Sequence, residues 1–253
     1  MNIIIGSSIK RIQEVGSTNN YAAEQLLTNR PQEGTVFVAN SQVDGRGQTS
    51  NKWESEPYKN LTFSIVLYPD ILEIAQQFEI SKAVSLGITD FLNGKVQQVS
   101  IKWPNDIYVG TRKIGGILIE NSVRINKISS CIVGIGLNIN QKIFITDAPN
   151  PVSLTQITKL DYDLETILIE LCDKIDRRYQ QLISLKFNSI DDDYIAMLYQ
   201  SDQWAIYKDA GGTFTGRIIG VDRYGRLRIE SEAGSIRKYQ FKEVEFEINT
   251  ETL

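Results

Sequence analysis

Histidine is missing from all 253 residues. Its absence removes Ser-His-Asp and Cys-His triads, most zinc sites and any histidine general base. An enzyme made from this chain must work by binding, orientation and the charge of lysine, arginine and carboxylates, with an oxygen-held cation such as magnesium available to it. Cysteine is scarce as well. Cys131 and Cys172 stand far apart in apolar surroundings, with no Cys-x-x-Cys and no disulfide framework, and read as core thiols in a reducing compartment. No apolar run approaches the ~18 residues of a membrane span. The opening MNIIIGSSIKR has too short an apolar run for a signal peptide and lacks the small-residue cleavage pattern. These absences predict a cytoplasmic protein. A positive excess is lacking too: the net charge of −4 argues against a nucleic-acid partner, which usually needs a basic stripe.

What is present is ordinary for a globular chain. With 42% hydrophobic residues it can bury a large core without staples, in one or two domains. KRIQEV alternates and predicts a short strand. GSTNNYAAEQLLTN turns helical after Ser17, Thr18 and Asn19, with Ser17 or Thr18 as the cap and Tyr21, Ala22, Leu26 and Leu27 on one face. GTVFVANSQ and NLTFSIVLYP predict two strands joined by the loop DGRGQTSNKWES at 44–55. Residues 71 to 93 are spaced as a helix and end at Asn93-Gly94, a C-cap pair. Three strands follow: QQVSIKWP, then DIYVGTRKIGGILIEN bending near its glycines, then KISSCIVGIGLNIN. Residues 141 to 160 read as a loop, 164 to 185 as an amphipathic helix, and DDDYIAMLY as a shorter one. Mixed strands with helices between them predict an α+β core. From Ser201 the turns AGG, DRYG and EAG punctuate short strands, the pattern of a small SH3-like β-barrel. The division falls near residue 200, giving segments 1–200 and 201–253.

Three stretches set glycine beside polar side chains: the 44–55 loop, KWPNDIYVGTRKIGG and GIGLNIN. None matches Gly-x4-Gly-Lys-Ser/Thr or a full Gly-x-Gly-x-x-Gly. Taken singly, each reads as a tight turn or bulge rather than a ligand cradle. Pro-Asn-Asp is turn chemistry by itself, Trp53 and Trp103 suit a core, and Ser17-Thr18-Asn19 suits a helix start. Turn chemistry does not explain Lys113 followed after one residue by Gly115-Gly116. An ammonium next to bare backbone is the making of an anion site.

Together, in this order, STN at 17–19, QVDGRG…W at 42–53, NLTFS at 60–64, KWPNDIYVGTRKIGGIL at 102–118 and GIGLNIN at 134–140 resemble the biotin–protein ligases. The resemblance covers almost the whole chain, and the 102–118 stretch is its most specific part. It implies a mixed sheet with flanking helices, of the class II aminoacyl-tRNA-synthetase-like biotin/lipoate ligase type, with a small C-terminal SH3-like β-barrel. It also implies a reaction in which biotin and ATP, with magnesium, give biotinyl-5′-AMP, and a lysine of a biotin carboxyl carrier domain then takes the biotin. A lipoate or octanoate ligase or transferase of the same fold, and a non-catalytic biotin-binding protein, are the alternatives.

The family's roles carry over by position. Ser17, Thr18, Asn19 and Gln42, with the backbone at Gly45 and Arg46, would bind the ureido ring. Lys113, with Arg46, would stabilise the charge between the biotin carboxylate and the α-phosphate. Gly115, Gly116 and Gly134 would let the wall approach the ligand. Gly47, Gln48, Asn51 and Trp53 would border the nucleotide, Asn138 would read the adenine, and Asn105 and Asp106 would serve the phosphates, Asp106 on the metal side. Many relatives carry arginine where this chain has Gln48 and Asn51. Lys52, Arg237 or Lys242 would then supply charge. Only sixteen residues precede Ser17, which leaves no room for the winged helix-turn-helix of the repressor members. The family's habit of pairing leaves a homodimer open.

Overall fold

The computed structural model describes residues 3–48, 51–145 and 150–247. Its larger sheet has seven strands: β1 (Ile9–Val15), β2 (Val36–Gln42), β3 (Leu61–Leu67), β4 (Val99–Lys102), β5 (Asp106–Val109), β6 (Arg112–Arg124) and β7 (Lys127–Leu137). They lie in the order β1-β2-β3-β7-β6-β5-β4. Only β1 and β2 run parallel; the other neighbours are antiparallel. Central β3 is buried along its whole length, while edge strand β1 is half-exposed. A strand covered on both faces has no polar face to alternate with.

The two faces of β3 have different neighbours. Leu61, Phe63, Ile65 and Leu67 join the main core, together with Ile80, Val84, Leu171 and Ile175. Those last four come from α2 (Gln77–Asn93) and α4 (Leu164–Ile183). Val66 instead joins a small cluster with Ala22, Phe37 and Ile132 under α1 (Thr18–Thr28). Because side chains alternate along a strand, Thr62 and Ser64 share the face of Val66, where the cleft lies. The helix layer is held close by Gly87: a Cβ there would stand 2.6 Å from the Cα of Ile175.

Several sequence expectations change. The 106–121 stretch is not one bent strand but the hairpin β5–β6, turning through Gly110 at φ +58°. The helix expected from 71 starts as a short 3₁₀ turn at Ile74–Gln76 and becomes α-helical only at Gln77. Gly94 does occupy its C-cap, but in the right-handed region. The 141–160 loop contains α3 (Leu154–Thr158), opened by a reciprocal capping box between Ser153 and Gln156. α5 (Phe187–Met197) begins before the acidic run. Leu27 is 89% exposed, since α1 meets the sheet along one narrow side. Ser17 stands at the N-cap of α1 without a side-chain cap bond, because it lines the cleft instead.

The C-terminal strands β8 (Trp204–Asp209), β9 (Gly212–Val221), β10 (Leu227–Ser231), β11 (Ile236–Tyr239) and β12 (Glu245–Phe246) form a separate antiparallel sheet, ordered β11-β10-β9-β8-β12. Its 222–225 turn seats on the larger part. Gly225 (φ +83°) lies against the Phe78 ring, and its carbonyl accepts a hydrogen bond from Trp103 Nε1 at 2.9 Å. That seating brings 241–246 over the cleft. Among the described residues, no helix is long and apolar enough to cross a membrane.

Candidate active site

A cleft of about 810 Å³ lies between the sheet, the 44–55 loop and the C-terminal strands. At one end is a connected polar network. The Thr18 amide and hydroxyl donate to Gln42 Oε1 at 2.9 and 3.2 Å. Ser64 donates to Asn19 Oδ1 at 2.6 Å, with Thr18 Oγ1 2.8 Å away. Asn19 Nδ2 donates to Leu118 O at 3.2 Å and to Glu120 at 2.7 Å. Ser17, Thr18, Asn19 and Ser64 are all buried. Buried hydroxyls and amides need partners, and here they supply them for one another while Ser17, Thr18, Asn19 and Gln42 line the cleft.

Lys113 stands at the middle. Its ammonium is 2.6 Å from Asp106 Oδ1 and 5.8 Å from the centre of the Trp53 ring. Its backbone is pinned on both sides: its amide donates to Asn150 O and its carbonyl accepts from Val152, both at 2.9 Å. Gly116 lies beneath. A Cβ there would meet Trp53, Asp106 and Lys113 at 3.4–3.6 Å, so the glycine leaves an open floor between the three. Asn105 lines the same stretch and donates to Ile117 O at 2.6 Å.

The loop folds back on itself. Gly47 N donates to Asn51 O and Trp53 N to Gly45 O; Thr49 and Ser50 lie outside the described residues. Arg46, Gly47, Gln48, Asn51 and Trp53 all line the cleft. Both cations of the loop have carboxylate partners: Arg46 with Glu120 at 2.9 Å, and Lys52 with Asp44 at 3.5 Å. These pairs are substantially exposed, and such pairs contribute only about 0–1 kcal/mol.

Four of the expected residues, Gly45, Gly115, Asn138 and Arg237, do not line the cleft. Gly45 is buried against the Trp53 carbonyl, which a Cβ would meet at 2.4 Å, so its lack of a side chain serves the loop rather than the cleft wall. The Cα of Gly115 faces Leu137 and Ile107, away from the cleft. At Gly134, which lines the cleft, a Cβ would stand 2.2 Å from Asn19 Oδ1, so this glycine makes room for Asn19. Asn138 is buried beyond the cleft wall, its Nδ2 donating to Val152 O at 3.1 Å and its Oδ1 unpaired. Arg237 does not reach the cleft either; it pairs with Asp209 at 3.0 Å and stacks on Phe214.

Other residues join the site without a clear sequence signal. Gly136 beds the Trp53 indole, which a Cβ would meet at 2.3 Å. Ser64 and Glu120 complete the polar network. Lys102 lies 5.2 and 5.4 Å from the centres of the Tyr108 and Phe246 rings. Burial lowers its pKa from the ordinary 10.5, partly offset by Asp106, with Lys113 adding to the fall. Among the described residues lining the cleft, Lys102 and Lys242 are the cations without a carboxylate partner. Lys242 holds φ +70°, a backbone region unfavourable to a residue with a side chain. Ser64 was hidden inside an apolar strand, and Glu120 sat among residues typical of a β-strand. Gly136 belongs to a quoted motif but could not be matched to Trp53 from sequence.

A mixed sheet with a glycine floor, a central lysine and a polar inner end defines a small-molecule ligase of the acyl-activating kind. Residues 11–138 match the biotin/lipoate A/B protein ligase family, and residues 207–246 match the biotin protein ligase C-terminal domain. The chain belongs to that family. It is 30% identical over 244 residues to the bifunctional ligase/repressor BirA of Bacillus spizizenii, covering 92% of this chain and 72% of that protein. It is 28% identical to the biotin–acetyl-CoA-carboxylase ligase of Paracoccus denitrificans, covering 86% and 93%. Its fold is similar to that of biotin protein ligase from Aquifex aeolicus in complex with biotin and ATP: TM-score 0.78, 26% identity, 95% of this chain and 99% of that one.

Proposed function

We propose that this protein activates biotin with ATP and transfers it to a lysine of a biotin carboxyl carrier domain. The observation that carries the reading is Lys113, its ammonium between Asp106 and the Trp53 ring above the open floor of Gly116. In the first step the biotin carboxylate attacks the α-phosphate, forming biotinyl-5′-AMP as pyrophosphate leaves. Two anions must meet, so the main demands are orientation and neutralisation of the developing charge. Lys113 meets the second demand at the reacting phosphorus, and Lys102 and Lys242 hold the outer phosphates. In the second step a lysine amine attacks the mixed anhydride. A C–N bond forms, the C–O bond to phosphate breaks, and AMP leaves. Neither step needs a covalent enzyme intermediate, so the lack of histidine is no obstacle.

Thr18, Gln42 and Ser17 hold the ureido ring, with Asn19 fixing their places. A ring with two N–H donors and a carbonyl suits such a pocket better than a dithiolane does. Trp53 serves the nucleotide. Its Nε1 is a donor buried without a partner, costing about 1–3 kcal/mol until paired, and an adenine ring nitrogen can satisfy it; Asn138 lies behind the wall and would act only through Val152, whose carbonyl it holds. Magnesium comes with ATP. No group of three or more His, Cys, Asp or Glu side chains able to hold a metal is present among the described residues. One carboxylate, Asp106, beside Asn105 suits an ion that keeps water and phosphate oxygens as its other ligands. We assign the activation site chiefly to residues 1–200, with 201–253 as its cover.

The test is purified protein with ATP, magnesium, biotin and a carrier domain. ATP–pyrophosphate exchange and labelled carrier are expected, and the absence of both ends the enzyme reading. Calorimetry with biotin and lipoate checks the substrate; binding of lipoate alone ends the biotin reading.

A further inference from the structure

Glu120 lies on β6 with its side chain on the same face as Gly116 and Leu118, behind Asn19 and Arg46, which line the cleft. One carboxylate oxygen accepts from Asn19 Nδ2 at 2.7 Å, and the other pairs with Arg46 at 2.9 Å. Arg46 also donates to Asn20 Oδ1 on α1. The carboxylate thus joins two systems, which also touch where Arg46 reaches Asn20, next to Asn19. On one side are Asn19, Ser64, Thr18 and Gln42, the buried network around the ring. On the other is the loop, where Lys52 is tied to Asp44 and Gln48 and Asn51 are neutral. Arg46 is thus one of the loop's two cations, and its charge, like that of Lys52, is matched by a carboxylate.

We propose that Glu120 is a positioning residue for the reaction: it parks Arg46 while biotin enters and yields it to the adenylate phosphate once that forms. This rests on the ligase reading above. The two bonds of Glu120 differ in how firmly they are held. Asn19 is 3% exposed and is fixed by Ser64 and Leu118 as well. The Arg46 and Glu120 side chains are 41% and 37% exposed, so water competes for their pair and it breaks easily. A phosphate anion arriving in the cleft then competes with Glu120 for the guanidinium, whose fork matches either partner. Glu120 keeps Asn19, its freed oxygen returns to water, and the ring pocket stays intact. A purely structural carboxylate would instead hold both partners throughout.

Glu120→Gln separates the two roles. It keeps an oxygen for Asn19 and removes the charge that competes for Arg46. With synthetic biotinyl-5′-AMP, its dissociation rate should fall about three- to fivefold, the factor expected from losing an exposed pair. Biotin affinity should stay within about twofold, because the Asn19 bond survives. Arg46→Ala alone should speed release, and adding Glu120→Gln to it should change nothing more. Unchanged or faster release from Glu120→Gln overturns the proposal. So does slowing that persists in the Arg46→Ala background, or an Arg46→Ala variant that releases at the original rate. If the unaltered protein binds neither biotin nor biotinyl-5′-AMP, the ligase reading itself fails, an outcome separate from all of these.

Discussion

At the scale of single residues, charge placement matters more than charge count. Lys113 and Lys102 both face the cleft, but one is matched by Asp106 and the other by aromatic rings alone. If Lys113 acts on the transition state, Lys113→Ala should lower the adenylation rate about 10²–10³-fold, the usual loss for a preorganised charge donor. Biotin affinity should drop much less. Pyrophosphate exchange and calorimetry on the same variant give the two numbers, and equal losses would make Lys113 a binding group only. For Lys102, burial favours the neutral amine, so its ammonium is lost as pH rises through a value below the ordinary 10.5. ATP affinity should therefore weaken on the alkaline side before a normal lysine would titrate. Lys102→Arg should move that limb upward, because guanidinium stays charged; a profile unmoved by the substitution would show that Lys102 does not hold phosphate.

At the scale of elements, the site depends on which strand positions share a face. β7 places Gly134 and Gly136 on the cleft side, and each admits a side chain from elsewhere: Asn19 to the first, Trp53 to the second. Gly136→Ala should push the indole off its bed. Overpacking of this kind is worth about 1–3 kcal/mol, so the KM for ATP should rise about tenfold or more while biotin binding stays close to normal. Indole fluorescence and ATP kinetics report it together; a normal KM would mean that Trp53 does not border the nucleotide. In GIGLNIN only Gly134 was expected, by family resemblance, to allow close approach; Gly136 had no assigned role. What approaches each was not legible, since their partners lie far away in sequence. The same limit explains Gly115 and Gly116: alternation puts neighbouring glycines on opposite faces, and register alone decides which one meets the cleft. α3 was missed for a different reason. Its capping signal, Ser153 with Gln156, was in the sequence, but the five-residue helix that follows is too short to show periodicity.

At the scale of the whole molecule, the C-terminal sheet takes part in the cleft. Phe246 lies against Lys102, and Lys242 and Glu245 line the same space. The seat that puts them there is the Trp103–Gly225 hydrogen bond and the Phe78 contact. Phe246→Ala should leave the ring pocket intact, because Phe246 packs on Lys102 and not on the Ser17–Thr18–Gln42 end, and raise the KM for ATP. Biotin calorimetry beside ATP kinetics tests this, and a variant that loses biotin and ATP equally would refute the division of labour. The sequence by itself determined most of the strands and the longer helices, the C-terminal β-segment, the histidine-free chemistry and the lysine beside paired glycines, because these rest on composition, periodicity and short-range turn chemistry. Only the tertiary structure decided that Gly134 serves Asn19, that Glu120 holds Arg46, and that Lys242 rather than Arg237 faces the cleft. Those choices depend on strand register and on contacts between distant segments, which no local pattern encodes.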